Sequence, residues 1–203
     1  MPLSQGAALI RSPTVTAEEK VDGSNLAVYL DASGAVTCQN RGKFVTPSSG
    51  SQWGGQLATW LESHYCELVS LLRQRYILYG EWLLARHSIR YQSLPDYFVA
   101  FDVYDRTARR FLSAKKRNAF LSQSTIPVVK PLAVGPFAEA DILRLLGSPS
   151  RYGAAKVEGI YLRSDSGAWL QQRAKVVNSD FLQTIDDDGH WQKRVLEKNQ
   201  LKY

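Results

Sequence analysis

An α+β fold with largely antiparallel sheets is predicted, on three observations. Short β-prone apolar segments recur along the chain, separated by turns rich in Gly, Asp and Ser. Helical periodicity appears in only three or four places, between groups of about nine strands rather than after each one. No GxGxxG run and no Walker lysine loop occurs, so a Rossmann or P-loop sheet finds no support.

The elements follow in order. Val15 to Lys20 and Leu26 to Leu30 read as two strands flanking Asp22-Gly23, an ordinary hairpin signal because Gly takes positive φ without steric cost. Asp31-Ala32-Ser33-Gly34 is a second turn, leading into Ala35 to Arg41, and Phe44 to Gly55 reads as a Ser/Gly/Pro loop. Leu57, Trp60, Leu61, Tyr65, Leu68, Val69 and Leu72 recur at the three- and four-residue spacing of one helix face. Strands are expected at Tyr76 to Leu83 and Tyr97 to Tyr104, then a helix capped by Ser113. A further helix is expected from about Ala138 to Leu146, closed by Gly147. The last strands are Val157 to Arg163 and Trp169 to Val177, joined by Ser164-Asp165-Ser166-Gly167.

At 203 residues, 44% hydrophobic and 22% charged, the composition is that of an ordinary globular domain with a substantial core. The longest apolar runs are too short to cross a bilayer, so no membrane partner is expected. No secretory signal is evident, and two cysteines without a CxxC or Cys/His ladder argue for a reducing, cytoplasmic setting without structural zinc. A net charge of +6 is compatible with a polyanionic partner without establishing one.

The informative residues are the charged ones inside apolar strands: Glu81 in LYGEWLL, Asp102 in VAFDVY, Glu158 in KVEGIYL and Lys175 in RAKVV. A lone acid in a strand usually faces solvent. Four such residues together with Lys20 point instead to an inward polar cluster, because ionisable groups in apolar surroundings need partners.

Lys20 in KVDG, Arg41-Gly42, Tyr79-Gly80-Glu81, Phe101-Asp102-Val103, Glu158-Gly159-Ile160 and Arg173-Ala174-Lys175 occur in one order. That order resembles motifs I, Ia, III, IIIa, IV and V of the covalent nucleotidyltransferases, the ATP-dependent ligases and mRNA capping enzymes. The stretch EWLLARHSIRYQSLPDYFVAFDVYD looks most like the RNA ligase 2-like branch. The resemblance implies a nucleotidyltransferase (ATP-grasp-like ligase adenylation) fold, one domain over residues 1–203, and ATP with Mg²⁺ or Mn²⁺ as cofactors. Lys20 would attack the α-phosphate of ATP, expel pyrophosphate and become lysyl-AMP. A free lysine has a pKa of about 10.4, so cations such as the metal, Lys175 and Arg173 would favour the reactive neutral amine and screen the phosphates. Glu158 would hold the metal, and Glu81 would contact the ribose or a second metal. Phe101 rather than Phe98 would stack on adenine, Glu18 would accept from its exocyclic amine, and Arg41 would grip ribose or phosphate. The family's motif V usually reads Lys-x-Lys; here Arg173 stands first, and arginine cannot replace lysine where proton loss matters.

The expected activity is RNA repair by an ATP-dependent RNA ligase, joining 5′-phosphate and 3′-hydroxyl RNA ends, nicked duplexes included, as a monomer. The alternatives are a minimal DNA ligase and a non-catalytic nucleotide or nucleic-acid binding module. Residues 176–203 are too few for the C-terminal OB-fold of DNA ligases and capping enzymes, and the tail from Trp191 to Tyr203 is expected to form a basic helix instead. His64 and His190 are expected to be exposed, His87 structural, and Asp186-Asp187-Asp188 an exposed turn. The run of Arg106, Arg109, Arg110, Lys115, Lys116 and Arg117 is expected to be solvated surface.

Overall fold

The computed structural model describes residues 9, 12–13, 15–46, 49–50, 52–178 and 196–202. Its strands are β1 (Val15–Lys20), β2 (Ser24–Leu30), β3 (Val36–Asn40), β4 (Lys43–Val45), β5 (Tyr76–Trp82), β6 (Phe98–Asp105), β7 (Arg110–Phe111), β8 (Pro131–Val134), β9 (Gly159–Ser166) and β10 (Trp169–Val177). Three helices complete the described set: α1 (Gly54–Leu72), α2 (Ala114–Leu121) and α3 (Glu139–Leu146).

The strands form two sheets, ordered β10-β9-β1-β8 and β4-β3-β2-β5-β6-β7, and every neighbouring pair is antiparallel. Alternation along each strand sorts the faces. Leu26, Val28, Leu78, Trp82, Phe98, Ala100 and Val103 bury one face of the larger sheet beneath Leu57, Trp60, Leu68 and Leu72 of α1. Val15, Ala17, Ile160, Leu162 and Ala174 bury one face of the smaller sheet with Phe137 and Ile142, the latter on α3. Both apolar faces are therefore covered from outside, and the polar faces look toward each other. An isolated bridge between Leu112 and Trp169 joins the sheets at the β7/β10 side.

The sequence expectations hold for most elements, with instructive exceptions. Asp22-Gly23 does not make a hairpin: β1 pairs with β8 and β9, whereas β2 pairs with β3 and β5, so this turn carries the chain from one sheet to the other. A true tight hairpin instead lies at Arg41-Gly42, both residues having positive φ (43° and 86°), between β3 and β4. The expected loop from Phe44 accordingly loses its first residues to β4. Ser113 caps α2 as expected, accepting from the Lys116 amide. Gly147 ends α3 without a left-handed φ (−79°); its N–H donates to the Leu143 and Arg144 carbonyls.

The described C-terminal segment is extended rather than helical, correcting that expectation for residues 196–202. It pairs with the chain between Leu84 and Leu94: Asn199 N–H donates to Leu84 O, Gln200 N–H to Tyr91 O and Lys202 N–H to Leu94 O. His190 and Asp186-Asp187-Asp188 lie outside the described residues. No helix among the described residues is long and apolar enough to cross a membrane.

Candidate active site

Lys20 ends β1 opposite Gly159 of β9. Residues two apart share a strand face, so Thr16, Glu18 and Lys20 point into the space between the sheets. Cross-strand register adds Tyr161 and Arg163 of β9, then Lys175 and Arg173 of β10. From the opposite sheet come Asn25 of β2 and Tyr79 and Glu81 of β5. A register shift between Tyr79 and Gly80 makes β6 bulge, which leaves Phe101 unpaired beside Asp102. Phe98 stays in the core under α1, as the face assignment required.

Lys20 Nζ donates to Glu158 Oε2 at 2.5 Å. Glu158 is raised above the ordinary carboxylate range by loss of water; Lys20 opposes that shift and Asp22 adds to it. Glu81 is pushed up to about 8, chiefly by burial, with Lys20 lowering it and the charges of Asp22 and Glu158 raising it. Lys175 lies exposed but close enough to act electrostatically on Glu158.

Two glycines make this approach possible by lacking a side chain. A Cβ on Gly23 would meet Trp82 O at 2.6 Å, Leu83 Cδ2 at 2.7 Å and Glu81 Cγ at 3.0 Å. A Cβ on Gly159 would meet Val176 O at 2.4 Å. The turn after Lys20 is clamped as well. Asp22 Oδ2 accepts from the Ser88 and Ile89 amides (2.7 and 3.2 Å), and Asp22 N–H donates to the Tyr91 hydroxyl (2.8 Å). His87, with little side-chain exposure, has Nδ1 3.8 Å from Asp22 Oδ1, in keeping with a structural role.

A second charged cluster occupies the closed side of the cleft. Arg117 grips both carboxylate oxygens of Glu18 (2.6 and 3.1 Å) and also donates to Phe101 O. Arg163 donates to Asp102 Oδ1 (3.0 Å) and to Leu112 O, and Arg173 donates to Asp102 Oδ2 (2.9 Å) while lying over the Phe111 ring (4.5 Å). Glu18 is only 2% exposed, its carboxylate held within this scaffold by Arg117. Arg173 is likewise tied to Asp102, on the side away from Lys20. Arg41 is exposed at its hairpin tip, at the Asn25 end of β2, where Asn40 Nδ2 donates to Asn25 O. The structure thus brings Lys20, Glu158, Glu81 and Lys175 together, places Glu18, Phe101 and Arg173 around Asp102, and leaves Arg41 at the rim.

Several participants lay outside the sequence reading. Arg117 is fully buried although it ends an apparently solvated basic run, and Arg163, inside β9, belongs to no distinguishing motif. Asp22 had been seen only as a turn residue. His64 is not exposed as expected: its ring stacks on Trp60 with centroids 4.5 Å apart.

Lys20 aside, the centre is acidic: Asp22, Glu81 and Glu158 crowd one cation. A hard divalent ion fits such oxygen donors, with Glu158 and Glu81 the residues that would hold it. No group of three or more candidate ligands stands ready among the described residues, so substrate phosphate oxygens and water would complete its shell.

The family profile described as RNA ligase matches residues 13–177. A comparison with curated protein sequences finds no match. Among solved structures, a Naegleria gruberi RNA ligase mutant with ATP and Mn is similar at TM-score 0.72 and 18% identity, covering 92% of this chain and 56% of that one. A Naegleria gruberi RNA ligase with PPi gives TM-score 0.69 and 19% identity, with 90% and 55% covered. A further mutant with AMP and Mn gives 0.71 and 18%, with 90% and 55% covered. The chain therefore spans a little over half the length of these ligases, and the likeness carries the fold: mixed α and β with antiparallel sheets. With the profile matched from residue 13 to residue 177, across both sheets and every residue of the cleft, the chain belongs to the RNA ligase family.

Proposed function

We propose that this domain has the covalent nucleotidyltransferase fold and carries out ATP-dependent RNA ligation through a lysyl-AMP intermediate. The observation that carries the proposal is Lys20 Nζ held on Glu158 at 2.5 Å inside a cleft, with Glu81 beside it and Lys175 on the same face. A lysine serving only to balance Glu158 would not need Glu81 and Asp22 near enough to feel the same charges.

The chemistry follows from that placement. The Nζ lone pair attacks the α-phosphorus of ATP; a P–N bond forms, the P–O bond to pyrophosphate breaks, and pyrophosphate leaves. Glu158, already in contact, takes the proton that the ammonium must lose. Lys175 faces the site as a mobile cation for phosphate oxygens. A bound Mg²⁺ or Mn²⁺, as in the Naegleria gruberi structures with Mn, would supply charge neutralisation at the phosphates. An RNA 5′-phosphate oxygen then attacks the same phosphorus, releasing Lys20 as the amine and forming an adenylylated end. Attack by a 3′-hydroxyl on the 5′-phosphorus expels AMP and leaves a phosphodiester. Phe101, half-buried beside the cleft, is the ring available to an adenine face, and Arg41 reaches ribose or phosphate only if the β3–β4 tip bends inward.

The test is intact and peptide mass spectrometry after incubation with ATP and Mg²⁺ or Mn²⁺. An AMP-sized adduct on Lys20, removed by added pyrophosphate, is expected. An unlabelled protein with intact Lys20, across metals and pH, would overturn the reading. A parallel GTP incubation reads base choice, and matched nicked duplexes with ribose or deoxyribose at the nick separate RNA from DNA sealing.

A further inference from the structure

We propose that the inner face of the six-stranded sheet, beyond the Glu81 end of the cleft, is a stacking surface for single-stranded RNA bases leading away from the reacting end. The inference rests on the ligase reading above. Its basis is a cross-strand row: Tyr29 of β2 pairs with Ile77 of β5, Ile77 with Tyr104 of β6, and Tyr104 with Phe111 of β7. Tyr79 follows one step closer to Glu81 on the same face.

These rings are not core. The core of this sheet lies on its other face, where Val28, Leu78 and Val103 are fully buried under α1, whereas Tyr29, Tyr79, Tyr104 and Phe111 all remain partly exposed. Partly exposed aromatics clustered on a face without an overlying helix leave apolar surface in water that a flat partner would cover. Phe111 serves as the hub, 5.0 Å from Tyr104 and 5.7 Å from Tyr79.

Charge and geometry choose the occupant. Arg106 lies over the Tyr29 ring at 4.8 Å and Arg173 over Phe111 at 4.5 Å, so each end of the row carries a guanidinium beside a π-face. Interleaved rings and arginines are the composition that holds single strands: bases stack while cations track phosphates. The one carboxylate on this stretch, Asp102, is already neutralised by Arg163 and Arg173. Glu81 and Ile77 are four residues apart on β5, about 13 Å along the strand.

The test uses the whole chain and a fluorescein-labelled, 5′-phosphorylated single-stranded RNA decamer. Tyr29→Leu and Tyr104→Leu keep bulk and β-compatibility but remove the π-face; Tyr29→Phe and Tyr104→Phe keep it. Each leucine variant is expected to weaken RNA affinity roughly 5- to 100-fold, with the phenylalanine variants within about two-fold of the parent. AMP transfer from ATP to Lys20, measured without RNA, is expected to be unchanged in all four. Unaltered RNA affinity in folded leucine variants would overturn the proposal, as would a raised KM for ATP with RNA affinity intact, which would give the row to the nucleotide. Photocrosslinking of 5-iodouridine RNA to the unmutated protein decides independently of variant folding: adducts on Tyr29, Tyr79, Tyr104 or Phe111 are expected, and adducts only elsewhere count against it. A parent protein that binds RNA through this row yet never takes up AMP would sink the ligase mechanism while leaving the surface in place.

Discussion

Lys20 Nζ meets Glu158 Oε2 at 2.5 Å across 138 residues of sequence. The contact exists because β1 and β9 pair with Lys20 opposite Gly159, which sets Glu158 just outside the ladder and beside the amine. Charge alone would be satisfied by arginine, but nucleophilic attack would not, since a guanidinium stays protonated. Lys20→Arg is therefore expected to retain the fold and form no AMP adduct. Lys20→Met should also form none, and in addition lose about 1–2 kcal/mol of stability near pH 8, because Glu158 is left without the cation it pairs with. That deficit should shrink near pH 5 as the glutamates take up protons. Urea unfolding at both pH values, together with intact mass, checks the pair; an adduct on either variant would refute Lys20 as the nucleophile.

Glu81 carries the clearest pH signature. Its folded-state pKa of about 8 stands well above the ordinary glutamate value of 4.5, mainly through burial. The folded state thus binds the proton more tightly, so the contribution is fully present below pH 4.5 and is lost as pH rises to about 8. Glu81→Gln, which never ionises, should match the parent near pH 4.5 and exceed it by about 1–3 kcal/mol at pH 9 in metal-free buffer. AMP transfer should fall sharply in the same variant if the ionised carboxylate holds ribose or metal. Thermal melts across this range provide the check; equal melting curves at pH 9 would show that burial does not penalise the ionised Glu81.

The sequence revealed strands far better than it revealed their partners. Alternation in Val15 to Lys20 or Trp169 to Val177 is a local signal, and the structure reproduces those limits. Pairing is not local: an Asp-Gly turn between two strands looks the same whether they join one sheet or two, and here they join two. Glu81, Asp102 and Glu158 stood out because ionisable groups within apolar strands demand partners. Arg117 did not, because its burial depends on Glu18, a residue 99 positions away. Asn199 was invisible for the same reason, its partners being main-chain groups of a distant segment.

Gly23 gives a steric prediction. It needs no positive φ, yet a Cβ there would stand 2.6 Å from Trp82 O and 2.7 Å from Leu83 Cδ2. Gly23→Ala must push the start of β2 away from β5 or shift the turn, costing about 1–3 kcal/mol. The turn also fixes Lys20, so the rate of AMP transfer should drop more than stability alone explains. Comparing adduct formation well below the melting temperature with Gly55→Ala, where an added Cβ meets nothing within 4 Å and the backbone needs no positive φ, isolates the effect. Equal rates in Gly23→Ala and the parent would remove the claim that this close approach aims the lysine.

Asn199 links the C-terminal segment to the turn after Lys20. Its Oδ1 accepts from the Tyr91 amide at 2.8 Å, and its Nδ2 donates to Leu83 O and Ala85 O at 2.8 and 3.3 Å. Tyr91, fully buried, in turn accepts from the Asp22 amide two residues beyond Lys20. Asn199→Ala leaves buried main-chain groups without partners and should cost about 2–4 kcal/mol. Loosening should travel one step further, so faster hydrogen exchange is expected at Ser88, Ile89 and Asp22, whose amide and carboxylate contacts form the clamp. The rate of AMP transfer at saturating ATP should fall while the KM for ATP changes little, because the residue touches no nucleotide. Exchange confined to residues 196–202, with the clamp amides as protected as in the parent, would show that the strap stabilises the chain without positioning Lys20.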